Sequence, residues 1–180
     1  MPDTSRFLTA LGRVIRSLAG PGRGARDVTE PTVPVSTGLR SPGQAGESAT
    51  VEVDPRRLSG VRLGYTPSRD GEPDPGEIVW TWVPYEERDG RGKDRPVAIV
   101  AASAGGDFLA VQLTSKPHDG DRDFVALGDG AWDAAGRPSW ARIDRVFRVR
   151  TGGMRREAAS LDATRYSRLA DALGERYGWR

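Results

Sequence analysis

The sequence predicts a mainly β protein, a small antiparallel barrel or sandwich with one helix covering an end. Five or six short apolar runs follow one another between residues 51 and 150, with no helical pattern between them. Parallel strands need long crossover connections, and this spacing leaves no room for them. A single helical pattern follows the last run. Antiparallel strands covered by one helix are typical of small barrels and sandwiches.

The composition limits the chemistry that the chain can perform. Its 180 residues suit one domain, or one domain with a tail, and hydrophobic residues make up 37%, below the usual globular share. The absence of Cys excludes disulfides and thiolate metal sites, and the single His excludes a multi-His site. Catalysis would therefore rest on carboxylates, hydroxyls, amines or guanidinium groups, and we expect no cofactor.

The net charge of +2 is unevenly distributed. Residues 1–50 hold the whole excess, with 6 Arg against 4 acidic residues, and residues 137–156 carry 7 Arg against Asp144 alone. This pattern indicates a local basic face but no general nucleic-acid signal. No apolar run approaches the ~20 residues of a membrane span, and the N-terminus lacks a signal-peptide pattern. We therefore expect a cytoplasmic protein and no membrane partner.

The first 50 residues are predicted to form an arm outside the barrel. Apolar residues recur with helical spacing over residues 4–19, so residues 1–19 are expected to form an amphipathic helix. This helix could fold back on its own domain, dock on another protein or lie on a membrane surface. Residues 20–50 are rich in Gly and Pro and contain no aromatic residue, which predicts a disordered linker. The barrel domain then spans residues 51–180.

The first strands of the barrel are predicted between residues 51 and 84. Structure resumes at Val51, and residues 61–65 alternate apolar side chains with Arg or Gly, as an edge strand does. Residues 66–76 are dense in turn formers and predict a loop. Residues 78–83 are rich in β-branched and aromatic side chains and form a strand that Pro84 ends.

The second half of the chain continues this pattern and ends in a helix. The remaining strands are predicted, in order, over residues 96–102, 108–114, 124–127 and 140–150. The first of them is almost entirely apolar, which indicates burial on both faces. Gly105 and Gly106 form the turn into the next strand. Ser160 or Asp162 then caps a helix that runs to about Arg176.

Several short motifs follow one another in order through the barrel region. The sequence contains Gly76-Glu-Ile-Val-Trp80, Val83-Pro84, Gly92 before Arg95-Pro96-Val97, Leu113-Thr114-Ser115, and Arg142-Ile-Asp144. Together they resemble the PemK/MazF-like toxin family of bacterial toxin–antitoxin systems, over about residues 76–177. That family combines a G-[DE]-I-V-W strand, a loop ending in R-P, a strand ending in T-S and a later R-x-D element.

The resemblance implies both a fold and a function. It implies an SH3-like barrel with a C-terminal helix, usually assembled as a homodimer. It also implies a metal-independent endoribonuclease that cuts single-stranded RNA and is held in check by a protein antitoxin. Carried over by motif, the catalytic residues would be Arg95, Thr114, Arg142 and Asp144.

Metal-free RNA cleavage assigns a role to each of these residue types. The 2′-hydroxyl attacks the adjacent phosphorus, which requires a base, a cation for the added negative charge and an acid for the leaving oxygen. Asp144 could act as the base, with Arg95 and Arg142 as phosphate clamps, because a guanidinium offers a planar fork of donors. Thr114 or Ser115 would donate a hydrogen bond to a phosphate oxygen. Further substrate contacts are expected from Lys93, Trp140 and Arg145.

Other interpretations of the same residues remain open. Arg142 and Asp144 leave the same face of a strand, which suits a shared site but equally a structural ion pair. The whole barrel could instead be a non-catalytic module that binds a protein or nucleic-acid partner. A membrane-surface adaptor that uses the N-terminal helix is a third, weaker possibility.

The aromatic residues and the histidine also have two interpretations each. Trp80 and Trp82 share a strand face, where they fit a core better than a surface that stacks RNA bases. Trp132 and Trp140 flank a loop rich in Gly and Pro and are better candidates for an exposed aromatic. His118 lies in a polar loop, either as a solvated side chain or as an acid–base group.

Overall fold

The computed structural model describes residues 40–68, 70–103 and 105–180. The predicted helix over residues 4–19, and the predicted linker as far as residue 39, lie outside the described residues. The described elements are β1 (Val51–Val53), β2 (Glu77–Pro84), β3 (Gly92–Ala102), β4 (Asp107–Thr114), β5 (Phe124–Gly128), β6 (Ser139–Arg142), β7 (Val146–Arg150), β8 (Met154–Ser160) and α1 (Ala163–Tyr177).

All the strand pairs are antiparallel and form one curved sheet. The main order is β1-β7-β4-β3-β2-β8, and β5 and β6 branch from it at β4. The branch arises because β4 changes partner along its length, from β7 at Asp107–Ala110 to β6 at Leu113 and Thr114. The result is an antiparallel half-barrel with a C-terminal helix, which confirms the predicted fold class.

Two apolar clusters lie on the two faces of the sheet. Alternation along β3 sends Val97 and Ile99 to a small cluster and Ala98 and Val100 to a larger one. The small cluster also contains side chains from β2, β4 and β7, including the fully buried Phe147. The large cluster receives the apolar face of α1. Burial on both faces of β3 agrees with its almost continuous apolar sequence.

Helix α1 begins and ends at residues that the sequence identifies. The Asp162 carboxylate accepts a hydrogen bond from Arg165 N at 2.8 Å, and Gly178 ends the helix in the left-handed conformation. Tyr166, on the buried face, donates its hydroxyl to the Val100 carbonyl at 2.6 Å. Burial raises the pKa of Tyr166 to about 12. This contact fixes the helix against β3.

Three parts of the barrel differ from the prediction. Residues 61–65 form no strand, because their backbone meets a single residue: Leu63 N donates to Arg180 O, and Arg180 N donates to Val61 O. The run at 140–150 is interrupted between β6 and β7 rather than continuous. Strand β8, which pairs with β2, was not predicted.

The end of the predicted linker packs on the barrel. Pro42 O accepts a hydrogen bond from Trp82 N at 3.0 Å, beyond the point where β8 stops pairing with β2. The hydroxyl groups of Thr50 and Thr81 are 2.6 Å apart. The described part of this segment therefore belongs to the folded domain, and the boundary predicted at residue 50 lies too late in the chain.

No helix in the described part of the chain is long and apolar enough to cross a membrane.

Candidate functional site

A hollow of about 470 Å³ opens where β3 begins and β4 ends. We call it the strand-end hollow. Its walls come from the ends of these strands and from the loop before β6. Its lining includes four of the predicted site residues and two tryptophans, namely Lys93, Arg95, Thr114, Ser115, Trp80 and Trp132. The motif that precedes one predicted strand and the motif that ends the next therefore meet at one opening.

Arg95 lies at the edge of this hollow, where it adjoins a second one. Arg95 lies in β3, just before Pro96, and pairs with Thr81 of the neighbouring strand β2, which fixes its backbone. Among the described residues, Arg95 makes no ion pair and no side-chain hydrogen bond. It also lines a second hollow, of about 490 Å³. A guanidinium without a carboxylate partner is available to an anion on either side.

Thr114 and Ser115 place two hydroxyl groups opposite Arg95. Thr114 is the last residue of β4, and its hydroxyl oxygen accepts a hydrogen bond from Lys116 N at 3.1 Å. Because the oxygen accepts in this turn, the hydroxyl hydrogen remains available for donation. Lys93 lies exposed on the same wall. The strand-end hollow thus offers two cations without an ion pair to any described residue and two hydroxyl groups, while the two carboxylates that line it, Asp94 and Asp133, pair with Arg155 and Arg137.

The second hollow, which we call the arginine hollow, lies at the end of the small apolar cluster. Arg95, Gln112 and Arg145 line it, and each stands two residues from a member of that cluster. Strand alternation therefore places all three side chains on the face of the sheet that carries the small apolar cluster. Gln112 was not identified from the sequence. Because Gln112 lies two residues from Ala110 and two from Thr114, strand alternation could have placed it on the same face as Thr114.

Arg142 enters the arginine hollow already bound to two carboxylates. Its guanidinium donates to both oxygens of Asp144, at 2.7 and 2.9 Å, and a third N–H donates to Glu86. The hydrogen bond from Arg142 is the main cause that lowers the pKa of Glu86. The same contacts, with Asp144 first, raise the pKa of Arg142. The predicted pair therefore forms an ion cluster in the absence of substrate.

The four predicted catalytic residues are connected but do not share one hollow. Arg95 lies with Thr114 in the strand-end hollow and with Arg142 in the arginine hollow. Asp144 lines neither of these. It faces a third hollow beside β1, and its link to the others is its ion pair with Arg142.

Two predicted substrate contacts are mostly buried. Arg145 has a side chain only 7% exposed, and it donates to Glu52 at 2.6 Å and to the Pro84 carbonyl at 2.9 Å. Trp140 is 8% exposed and pairs with Thr114 across the sheet. Trp132 is 5% exposed and donates its Nε1–H to Ser139 at 3.0 Å. Trp132 and Trp140, the better candidates for an exposed aromatic, are therefore both buried.

The remaining aromatic residues flank the site. Trp80 is half-buried in the wall of the strand-end hollow, with the Arg155 guanidinium 5.5 Å from its ring centre. The His118 ring stacks on Phe124 at 3.5 Å between centres, and the Arg142 guanidinium lies 5.8 Å from the same Phe124 ring. Within the described ranges, no cluster of three or more acidic, His or Cys side chains is placed to hold a metal ion.

The chain matches the sequence model of one protein family. Residues 74–176 match the model described as "PemK-like, MazF-like toxin of type II toxin-antitoxin system". This span is more than half of the 180 residues and includes the strand-end hollow and Arg142 with Asp144. No curated protein matches the sequence at a significant level.

A comparison with solved structures found similarity to several, of which three follow. A MazE-MazF structure (Form-II) from Deinococcus radiodurans is 18% identical, with a TM-score of 0.45, and the match covers 60% of this chain and 97% of that one. MazF (Form-I) from the same organism is 21% identical, with a TM-score of 0.45 over 59% and 97% of the two chains. The Mycobacterium tuberculosis toxin MazF-mt6 is 18% identical, with a TM-score of 0.41 over 57% and 98%.

Proposed function

Because the chain belongs to the PemK-like, MazF-like family of toxins of type II toxin-antitoxin systems, we propose that it is an endoribonuclease that cuts single-stranded RNA without a metal ion. In this proposal it acts as a homodimer, and a protein antitoxin restrains it. The function rests on one observation above the others. Arg95, which has no ion pair among the described residues, lies opposite Thr114 and Ser115 in an open hollow.

Arg95 is suited to the phosphate whose bond is broken. Its planar guanidinium can donate two parallel hydrogen bonds to phosphoryl oxygens, and these strengthen as negative charge builds up on phosphorus. A hydroxyl of Thr114 or Ser115 adds a donor from the facing wall. Lys93 supplies a second cation at the rim. These groups hold the phosphate and stabilise the transition state without needing to transfer a proton.

The proposed reaction is internal attack by the RNA itself. The 2′-hydroxyl oxygen bonds to the adjacent phosphorus while the bond from phosphorus to the 5′-oxygen breaks. The products are a 2′,3′-cyclic phosphate and a 5′-hydroxyl end. A base takes the proton from the 2′-hydroxyl, and an acid returns a proton to the leaving 5′-oxygen.

Asp144 is the base in this proposal, and Arg142 controls it. Both carboxylate oxygens of Asp144 accept hydrogen bonds from Arg142 in the substrate-free protein. A phosphate that binds Arg142 replaces the carboxylate as its partner. Asp144 then becomes free to accept a proton, so the base is released only when substrate is in place.

Arg95 variants test the proposal most simply. We expect Arg95→Ala to slow cleavage of a long RNA by a factor of about 10² to 10³, the usual cost of removing one transition-state donor. Arg95→Lys keeps the positive charge but loses the planar fork of donors, so its cleavage rate should lie between those of wild type and Arg95→Ala. The exposed Arg62, which lines neither hollow, provides a matched control as Arg62→Ala.

Stability measurements separate catalysis from folding in these variants. Because Arg95 has no charged partner among the described residues, Arg95→Ala should change the free energy of unfolding by less than about 0.5 kcal/mol. A folded Arg95→Ala protein that cuts at the wild-type rate would remove the basis of the proposal.

A second function remains a candidate because Asp144 and Arg142 neutralise one another. In that case the half-barrel is a binding module that holds a nucleic-acid or protein partner without cutting it. Wild-type protein that binds RNA and leaves every bond intact would favour this function.

A further inference from the structure

A third hollow, of about 810 Å³, is built largely by a segment outside the family match. We call it the N-terminal hollow. Strand β1 and the 3-10 turn Pro55–Arg57 that follows it form one wall, and both precede residue 74, where the match begins. The opposite wall comes from the loop after β2 and from Asp144.

Three exposed arginines surround this hollow. Arg56 and Arg57 come from the 3-10 turn, and Arg88 comes from the loop after β2. The side chains of Arg57 and Arg88 are 87% and 76% exposed, and Arg56 is exposed without an ion pair to any described residue. Arg57 pairs with Asp54 at 3.4 Å and Arg88 with Glu52 at 3.6 Å, both at exposed positions where a polyanion can compete for the guanidinium.

The carboxylates of the hollow lie deeper and already have partners. Glu52 is 19% exposed on its side chain and binds Arg145, while Asp144 is 23% exposed and binds Arg142. Asp54 is more exposed, but its carboxylate accepts the Arg56 backbone N–H at 3.0 Å and caps the turn. Glu52 and Asp144 therefore lie deeper than the arginines, whereas Asp54 lies near the surface with them. The three arginines and three carboxylates balance in formal charge, but the arginines are the more exposed groups, so an approaching polyanion meets them first.

The N-terminal hollow adjoins the proposed cleavage site through shared lining residues. Pro84 lines both it and the arginine hollow, and Arg95 lines both the arginine hollow and the strand-end hollow. The Arg142–Asp144 ion pair also spans the boundary, with Arg142 on one side and Asp144 on the other. A strand held at Arg95 can therefore continue past Arg142 into the N-terminal hollow.

We propose that the N-terminal hollow is an accessory binding site for the sugar-phosphate backbone of the RNA strand, beyond the bond that is cut. Arg56, Arg57 and Arg88 contact successive phosphates there. This inference rests on the proposed function, because it extends the substrate path of the same site. It assigns β1 and the turn after it a role in holding longer RNA, and it makes RNA length a determinant of affinity.

Salt-dependent binding to uncleavable RNA tests this site. The probes are fully 2′-O-methylated oligonucleotides of about 4 and about 14 nucleotides, which span the site sizes of single-strand binders. Methylation removes the attacking hydroxyl, so binding is measured whether or not the protein cuts RNA. The proteins are the full chain, Arg56→Ala/Arg57→Ala, and the control Arg62→Ala/Arg122→Ala, which removes the same charge from exposed positions outside the three hollows.

We expect the Arg56→Ala/Arg57→Ala protein to bind the long probe more weakly than wild type. The slope of log affinity against log salt concentration should be less negative by ~1.4 than for wild type, because each phosphate contact on a single strand contributes ~0.7 to that slope. The short probe, which Arg95 can hold alone, should bind both proteins equally. The control variant should match wild type on both probes.

Three results would overturn the accessory site. Equal salt slopes for wild type and the Arg56→Ala/Arg57→Ala variant on the long probe would show that these arginines meet no phosphate. Wild-type protein that binds the long probe no better than the short one would rule out an extended path. Loss of affinity for poly-L-glutamate, with RNA binding unchanged, would assign the hollow to an acidic protein segment. Failure of the proposed function appears separately, as unmodified RNA left intact.

Discussion

The arginines around the three hollows differ in whether a carboxylate already holds them. Arg95 has no such partner among the described residues, Arg142 has two, and Arg145 is buried against Glu52. A guanidinium without a partner can bind substrate at once, whereas a paired one must exchange partners first. Arg145 also lies 5.0 Å from the Phe147 ring centre and has a buried Nε without a hydrogen bond. Its role is therefore to support the fold.

Removal of Glu52 should test that structural role. Glu52→Ala leaves the Arg145 guanidinium buried without its counterion, which typically costs about 3–5 kcal/mol. Glu87→Ala is the control, since Glu87 is exposed and has no ion pair among the described residues, and its effect should stay within about 0.5 kcal/mol. Urea unfolding of both variants gives the comparison. Equal stabilities would mean that Arg145 does not depend on Glu52.

Two of the predicted site residues lie near strand ends. Arg95, near the start of β3, and Thr114, the last residue of β4, line one opening, and their catalytic role stays a prediction. Burial of Trp132 and Trp140 depends on tertiary packing, and the local sequence does not reveal that. In the structure a Cβ on Gly130, two residues before Trp132, would lie 2.1 Å from the Trp132 ring, so the backbone there packs closely against the ring.

At the scale of elements, the segment from Pro42 to Thr50 closes one end of β2. Gly43 has φ +78° and approaches both Thr81 and the backbone of Gly153. Gly153 in turn lies against the Ser48 carbonyl. Only glycine fits contacts this close, so the segment acts as part of the domain and not as a linker.

Two glycines with nearly the same conformation provide a matched test of this contact. Gly46 has φ +77° and open space where a Cβ would stand, with no atom within 4 Å, whereas the Cβ of Gly43→Ala would lie 2.3 Å from Thr81 Oγ1 and 2.6 Å from Gly153 O. Gly46→Ala should cost about 1 kcal/mol from backbone strain alone. Gly43→Ala should cost roughly 2–4 kcal/mol, since a backbone oxygen cannot move aside easily. Thermal unfolding that shows equal losses would place this segment outside the folded core.

The sequence did not reveal the elements whose structure depends on which strand they pair with. Strand β8 contains Met154, Arg155, Arg156 and two alanines, which have little β propensity, and its pairing with β2 makes it a strand. Residues 61–65 have a strand-like alternation but find only Arg180 to pair with. The strong periodic runs of β2, β3 and β4 were predicted because burial on the sheet faces dictates their composition.

At the scale of the whole molecule, the proposed RNA path combines the family core with the segment before it. The matched residues 74–176 supply Arg95, Thr114, Arg142 and Asp144. The segment before them supplies Glu52, which holds Arg145, and the arginines of the N-terminal hollow. A protein that lacked this segment would lose both a structural counterion and part of the proposed RNA path.

The chemistry of the RNA ends produced in EDTA tests the central claim most directly. The full chain is incubated with a long RNA while EDTA removes divalent cations, and the 5′ ends of the fragments are mapped and tested for direct labelling by polynucleotide kinase. Attack by the 2′-hydroxyl predicts discrete fragments with free 5′-hydroxyl ends, which disappear with Arg95→Ala. RNA that stays intact, or fragments that carry 5′-phosphates, would contradict the account.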